Sequence, residues 1–374
     1  MPRATTALRS AAAASAVVAL AVACSQPASS PAAASGRTRH YVISADEVVW
    51  DYAPSSRDGI TGKPFDADAA VFVRPGPDRI GSRYRKCVFR EYADAGFRAL
   101  KPRDASDAYL GLLGPVLRAE VGDRIEVTFR NACSIPSGLH PHGVRYAKDS
   151  EGADYVDGSR EQMDGSVSPG GHRTYRWDVP ERSGPGPMDG SSVLWMYHSH
   201  ADEVGDVYAG LMGPIVVTAR GKARADGSPK DVDRELFVDF TVMDENASPY
   251  LDQARAVLAR PPAADDEGFV ESNLMHAVNG YVYGTGPVPE VRAGERVRWY
   301  LMAMGTEVDL HTPHWHGNTV TALGMRTDVV SLLPAGMVTA DMTPDAVGTW
   351  LLHCHVGDHI AAGMATRYRV LPGR

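Results

Sequence analysis

The sequence WLLHCH at residues 350–355 has a counterpart, WMYHSH, at residues 195–200. In both stretches a short apolar run leads into two histidines separated by one residue. If the stretch is an extended strand, successive side chains point to opposite faces of the sheet. His353 and His355 then share one face, and Cys354 points to the other. A single strand can in this way serve two sites that lie back to back.

The two stretches end two copies of a longer repeat. AEVGDRIEV at 119–127 recurs as VRAGERVR at 291–298, and each copy continues with a histidine cluster and a turn containing Pro and Gly. Short alternating runs bounded by Gly and Pro, with no long helical period, predict strands. We therefore predict an all-β protein of two β-sandwich domains, at 38–222 and 235–374, with the polar stretch 221–233 between them.

Ten of the 13 histidines fall in four motifs. Imidazole suits copper, and a cysteine thiolate with a further histidine and a weak axial methionine forms a blue-copper electron-transfer site. Cys354, His359 and Met364 have that composition. The ten clustered histidines are His140, His142, His198, His200, His311, His314, His316, His353, His355 and His359.

On these motifs the sequence resembles the multicopper oxidases, most closely ceruloplasmin-type domains and the two-domain bacterial small laccases. Residues 90–214 are similar to a first ceruloplasmin domain, and residues 307–364 are similar to the last. The resemblance implies two cupredoxin-like Greek-key domains. It also implies an enzyme that oxidises a donor one electron at a time at a type 1 copper. Oxygen would then be reduced to water at a trinuclear copper cluster.

The resemblance implies a place for each ligand of four coppers. The type 1 copper would take His311, Cys354, His359 and Met364. The type 2 copper would take His140 and His314, one type 3 copper His142, His198 and His355, and the other type 3 copper His200, His316 and His353. These cluster ligands come from both domains. In two-domain relatives, domain 1 of one subunit meets domain 2 of the next, which implies a homotrimer.

Domain 1 departs from the blue-copper pattern. Ser199 stands where domain 2 has Cys354, and counting on from His200 places Val204 where domain 2 has His359. Serine supplies no thiolate, which the blue site needs. We therefore predict that domain 1 has lost its type 1 copper and kept its cluster histidines.

Five further residues match positions near these sites in the family. Tyr146 and Glu151 match a tyrosine and an aspartate beside the cluster in small laccases, where protons must be relayed. For Glu151 a solvated loop is an equal interpretation. Glu271, His276 and Asp358 match the carboxylates and histidine beside the type 1 site of ceruloplasmin-type ferroxidases, although a fourth carboxylate is not located. Hard carboxylate oxygens suit ferrous iron.

The electron donor therefore stays open. It is a phenol or aromatic amine, as in laccases, or a metal ion, with ferroxidase as the main alternative. Two other classes fit less well. Copper nitrite reductases keep the cysteine motif in domain 1, the reverse of this chain, and a copper store would not need a complete oxygen-reducing ligand set. The net charge of −8, without a basic stripe, argues against a nucleic-acid partner.

The N-terminus predicts export. Residues 1–24 combine two arginines, a short apolar run and a small-residue cleavage site before Cys24, which resembles a bacterial lipoprotein signal peptide. Cys24 would then carry a lipid anchor at the cell surface, with 25–37 as a flexible linker, while plain secretion is the alternative. Export permits disulfides. The sequence leaves open whether Cys87 and Cys133 form one.

Overall fold

The computed structural model describes residues 36–158 and 165–373. The predicted signal peptide, Cys24 and nearly all of the predicted linker lie outside the described residues. Two four-stranded sheets form domain 1, in the orders β2-β1-β4-β6 and β3-β8-β7-β5. Their strands are β1 (Thr38–Asp51), β2 (Arg83–Glu91), β3 (Leu117–Glu120), β4 (Arg124–Asn131), β5 (His140–Pro141), β6 (His172–Asp178), β7 (Ser192–His198) and β8 (Met212–Thr218).

Domain 2 also contains two sheets. A six-stranded sheet has the order β10-β9-β12-β16-β14-β15, and a four-stranded sheet has the order β11-β18-β17-β13. The prediction of an all-β fold is confirmed. The strands are β9 (Arg234–Asp244), β10 (Leu274–Val278), β11 (Glu290–Arg292), β12 (Val297–Ala303), β13 (Pro313–Trp315), β14 (Val320–Ala322), β15 (Met325–Thr327), β16 (Met337–Met342), β17 (Gly348–Cys354) and β18 (Ala365–Leu371).

Short helices connect the strands. The α-helices are α1 (Ala67–Val73), α2 (Glu203–Ala209), α3 (Leu251–Ala256), α4 (Glu267–Ser272) and α5 (Gly357–Ala361). Short 3-10 helices are formed by Ala105–Leu110, Lys148–Ser150, Glu181–Ser183 and Glu245–Ala247. No helix among the described residues is long and apolar enough to cross a membrane.

The sequence repeat reappears in the strand pairing. β1 runs parallel to β4, and β9 runs parallel to β12 in the same way. Likewise β7 pairs antiparallel with β8, as β17 does with β18. Alternation sets which face is buried: in β4, Ile125, Val127 and Phe129 are fully buried and alternate with more exposed residues.

The six-stranded sheet of domain 2 packs on domain 1 through β12. The Tyr300 hydroxyl lies 2.6 Å from the Ser192 hydroxyl, and Arg298 donates to the same Ser192 oxygen at 2.7 Å. On the opposite face of β12, Trp299 packs against Trp315, with ring centroids 5.8 Å apart. β12 therefore lies between domain 1 and the strand that carries Trp315.

A segment between β1 and β2 reaches from domain 1 over domain 2. It carries α1, whose Phe72 ring meets the His276 ring edge-on at 6.0 Å. Next to the ends of this segment, the buried ammonium of Lys86 pairs with the buried carboxylate of Glu245. The same carboxylate also accepts from the Tyr52 hydroxyl at 2.5 Å. The segment thus connects the two domains through contacts beside β10.

Cys87 and Cys133 form a disulfide, with Cα atoms 6.1 Å apart. The bond links β2 to the chain just after β4. The sequence left open whether these two cysteines pair, and the structure shows that they do.

Candidate metal centres

The residues predicted to hold the type 1 copper lie in one buried pocket. Cys354 Sγ is 3.9 Å from His311 Nδ1 and 3.6 Å from His359 Nδ1, and the two Nδ1 atoms are 3.2 Å apart. None of the three residues is more than 6% exposed. Met364 is fully buried, and its peptide group bonds to both Cys354 and His359. One thiol and two imidazoles that converge in this way fit copper.

The groups around Cys354 favour the thiolate form of its side chain. Burial alone would raise the pKa of the Cys354 thiol, but contacts with His311, His359 and the Thr312 N–H outweigh it and lower the pKa to about 5. The thiolate is the form that binds metals. Cys354 therefore offers a metal-binding thiolate at neutral pH.

Asp309 supports this pocket from behind. Its carboxylate lies 3.1 Å from His311 Nε2, and it also accepts from the N–H groups of Val242 and Thr306. A carboxylate on one ring nitrogen fixes the tautomer and leaves the other nitrogen for a metal. Sequence reasoning missed Asp309. The available signal was its position two residues before His311, which puts both side chains on one side of an extended chain.

Four histidines of domain 1 form a cluster that we call the domain 1 half-site. His142 Nε2 and His198 Nε2 are 3.1 Å apart, and the His140 ring lies 5.3 Å from the His200 ring. β5 and β7 set this geometry because His140 pairs directly opposite His198. Burial lowers the pKa of His142 to about 4 and that of His198 to about 3. Both imidazoles are therefore neutral at pH 7, as metal binding requires.

Four histidines of domain 2 form the matching domain 2 half-site. His316 Nε2 and His353 Nε2 are 3.1 Å apart, and His314 lies opposite His353 in the pairing of β13 with β17. The His355 ring is 5.4 Å from the His353 ring. The resemblance assigns His142 and His198 to one copper, and His316 and His353 to another. That assignment stays a prediction.

Within the described part of the chain, no hydrogen bond, ion pair or ring contact joins the two half-sites. In β13, Trp315 points inward onto β12, so its neighbours His314 and His316 point to the opposite face of the strand. Domain 1 lies on the far side of β12. The domain 2 half-site therefore faces away from the domain 1 of its own chain.

Tyr146 and Glu151 lie beside the domain 1 half-site. The Tyr146 ring is 5.9 Å from the His140 ring. The peptide oxygen of Glu151, not its carboxylate, contacts His140 Nδ1 at 2.7 Å. The Glu151 carboxylate accepts instead from Lys148 and from the Tyr155 hydroxyl. The Glu151 peptide oxygen thus holds the His140 ring, and the proton-relay role of the Glu151 carboxylate stays a prediction.

Of the three predicted donor-site residues, one touches the type 1 pocket. His276 is 8% exposed, and its ring lies 5.3 Å from the His359 ring. Glu271 in α4 and Asp358 in α5 are exposed. Among the described residues, neither carboxylate makes a hydrogen bond or an ion pair. Within that part of the chain, neither joins a cluster of potential metal ligands.

One positional prediction in domain 1 is wrong. Simple counting placed Val204 at the position of His359, but the bond from Leu211 N to Asp206 O at 3.0 Å repeats the bond from Met364 N to His359 O at 2.9 Å. Asp206 is thus the counterpart of His359. The count failed because α2 has seven residues and α5 has five.

Comparison with known sequences agrees with this geometry. One multicopper oxidase family model matches residues 110–222, and a second matches residues 259–374. The chain is 44% identical to Ferroxidase HEPHL1 of Homo sapiens over 341 residues, covering 89% of this chain and 29% of that protein. It is 40% identical to ceruloplasmin of Rattus norvegicus, covering 93% and 33% respectively. The chain spans about a third or less of the length of these relatives.

Solved structures share the fold. One described as a multicopper oxidase has a TM-score of 0.56 at 19% identity, with 90% of each chain covered. Multicopper oxidase mgLAC has a TM-score of 0.58 at 19% identity, with 90% of this chain and 88% of that chain covered. Because family models match both halves, and because the buried thiolate and imidazoles suit copper, this chain belongs to the multicopper oxidase family and its cofactor is copper.

Proposed function

We propose that this protein is an oxidase that takes single electrons from a donor at a type 1 copper and reduces O2 to water. The observation that carries the proposal is the arrangement around β17. Cys354 points into the buried type 1 pocket, whereas His353 belongs to the domain 2 half-site. Bound copper supplies the redox chemistry: four electrons and four protons convert one O2 into two waters.

The chain provides a short covalent route between the two sites. Cys354 is bonded through the backbone to His353 on one side and to His355 on the other. His353 Nδ1 also contacts the Cys354 peptide oxygen at 2.7 Å, which holds the ring with Nε2 toward the half-site. An electron that enters at the thiolate therefore reaches the oxygen site through few bonds.

The cluster is completed between two copies of the chain in this proposal. Each chain has two half-sites of four histidines, and β12 with its neighbours separates domain 1 from β13, which carries His314 and is followed by His316. A heterologous contact that repeats domain 1 against the next domain 2 closes into a ring when the rotation fits. The homotrimer of two-domain relatives is such a ring.

Ferrous iron is the donor that we propose. His359 is the entry point for the electron, because it is 6% exposed and its ring contacts the His276 ring. His311 is 1% exposed, and Asp309 contacts its Nε2. Burial lowers the pKa of His276 to about 4, so the ring is neutral and able to accept a cation. Glu271 and Asp358 would add hard oxygen ligands. HEPHL1, the relative at 44% identity, is named a ferroxidase.

The proposal also includes export. The Cys87–Cys133 disulfide supports a location outside the cytosol, since such bonds persist in oxidising compartments. A lipid anchor at Cys24 remains part of the proposal because it rests on the sequence alone.

Oxygen consumption by one copper-loaded preparation tests the donor. Ferrous iron and a bulky phenol are compared at equal concentrations, with the spontaneous oxidation of iron subtracted. We expect a higher kcat/KM for iron. A preference for the phenol would favour a laccase-type role at the same type 1 copper, and no oxygen consumption with either would refute the oxidase.

A further inference from the structure

Domain 1 has a counterpart of the type 1 pocket with neither a thiol nor an imidazole at its ligand positions, and backbone hydrogen bonds identify each position in it. Ser137 exchanges two backbone bonds with Val167, as His311 does with Leu332. Gly138 N donates to Ser199 Oγ at 2.9 Å, as Thr312 N donates to Cys354 Sγ at 3.4 Å. Asp206 and Leu211 were matched to domain 2 above. Each type 1 ligand of domain 2 therefore has a counterpart in domain 1: Ser137 for His311, Ser199 for Cys354, Asp206 for His359, and Leu211 for Met364.

A hydrogen-bonded carboxylate occupies the centre of this pocket. Asp206 is 2% exposed and Ser199 is fully buried, and the Ser199 hydroxyl donates to Asp206 Oδ2 at 2.5 Å. The same oxygen accepts from Asp202 N at 3.1 Å. Two donors of the segment 199–202 therefore converge on one carboxylate oxygen of α2.

That segment carries half of the domain 1 half-site. Ser199 lies between His198 and His200, and the Ser199 peptide oxygen contacts His198 Nδ1 at 2.8 Å. In domain 2 the corresponding loop would be joined to α5 by copper, through Cys354 and His359. In domain 1 the carboxylate of Asp206 joins the loop to α2 without a metal.

We propose that Asp206 is a positioning residue that replaces the missing type 1 copper and holds His198 and His200 ready to bind cluster copper. This inference rests on the proposed function, because it assumes that the domain 1 half-site binds copper. It does not require Asp206 to touch a metal. It requires only that a buried hydrogen-bond acceptor at position 206 accepts from the Ser199 hydroxyl.

Copper titration of the full-length copper-free protein tests the proposal. Type 2 and type 3 coppers are followed by paramagnetic resonance and near-ultraviolet absorption, and type 1 copper is followed by the blue absorption. Asp206→Ala should weaken cluster copper binding by about 10–100-fold, the usual effect of losing a partner that orients a ligand. The blue band should keep its wild-type intensity. Ser199→Ala, which removes one hydroxyl only, should shift binding in the same direction by less.

Two matched variants make the test specific. Asp206→Asn keeps an oxygen acceptor at the same place and should bind cluster copper nearly as the wild type does. Asp252→Asn removes a charge from the exposed first turn of α3 and should change nothing. Wild-type cluster affinity in Asp206→Ala would overturn the proposal, as would a parallel loss of the blue band, which would mark Asp206 as a general folding residue. If the wild type itself bound no type 2 or type 3 copper, the proposed function would fail instead.

Discussion

The carboxylate of Asp309 lies 3.1 Å from His311 Nε2, and both side chains are fully buried. This pair places a negative charge directly behind one imidazole of the type 1 pocket. It also leaves His311 Nδ1 pointing at Cys354. A fixed negative charge close to a copper stabilises the oxidised ion more than the reduced ion, because the oxidised ion carries the larger positive charge.

Asp309→Asn should therefore raise the reduction potential of the type 1 copper. The amide oxygen can still accept from His311 and Val242, so the change removes the charge and the one hydrogen bond from Thr306 N. A redox titration of the blue absorption measures the effect. Glu307→Gln is the control, since it removes an exposed carboxylate two residues away. An unchanged potential in Asp309→Asn would show that the charge does not act on the copper.

Cys354→Ser should abolish the blue absorption, because that band requires charge transfer from thiolate to copper. Oxidase activity should disappear with it, while type 2 and type 3 coppers remain bound by the histidines. Absorption spectroscopy and copper analysis of the same sample check both statements. A mutant that stays blue would disprove the type 1 assignment.

Ser199→Cys should not create a second blue site. The other three positions of the domain 1 pocket are Ser137, Asp206 and Leu211, none of which supplies an imidazole. Copper content should not rise above that of the wild type. A fifth copper with a doubled blue band would show that the domain 1 pocket is still a copper site.

Glu271→Ala and Asp358→Ala should each lower kcat/KM for ferrous iron by about tenfold or more, by analogy with other residues that support metal sites. Oxidation of a bulky neutral phenol should hold steady, because it uses neither carboxylate. The blue absorption should persist in both mutants. If kcat/KM fell equally for iron and for the phenol, Glu271 and Asp358 would be structural supports of the type 1 loop. That result would favour a laccase role.

Lys86→Met should lower the free energy of unfolding by about 3–5 kcal/mol, because it leaves the buried carboxylate of Glu245 without its partner. Adding Glu245→Gln should restore most of the loss, since the amide can still accept from Tyr52. Denaturant unfolding measures both. Lys101→Met breaks an exposed pair with Glu91 and serves as the control, with an expected change below about 1 kcal/mol. Equal losses in Lys86→Met and Lys101→Met would contradict this account.

Much of the site could be predicted from the sequence, because strand alternation alone separates Cys354 from His353 and His355. The helices could not be placed by counting. Two extra residues in α2 moved the counterpart of His359 from Val204 to Asp206, and only the backbone hydrogen bond to Leu211 reveals this shift. Asp309 was missed for a related reason. The function of a buried carboxylate depends on which side chain it contacts, and a single sequence does not show that Asp309 contacts His311.

The central claim is that two copies of the chain complete one oxygen-reducing cluster. Co-expression of two inactive variants tests it: His140→Ala/His142→Ala disables the domain 1 half-site, and His316→Ala/His353→Ala disables the domain 2 half-site. In randomly mixed rings, about one quarter of interfaces join an intact domain 1 to an intact domain 2. We therefore predict that oxygen consumption recovers to about a quarter of the wild-type rate in the mixture. No recovery in verified mixed oligomers, or a monomeric wild type that holds the complete cluster, would contradict the claim.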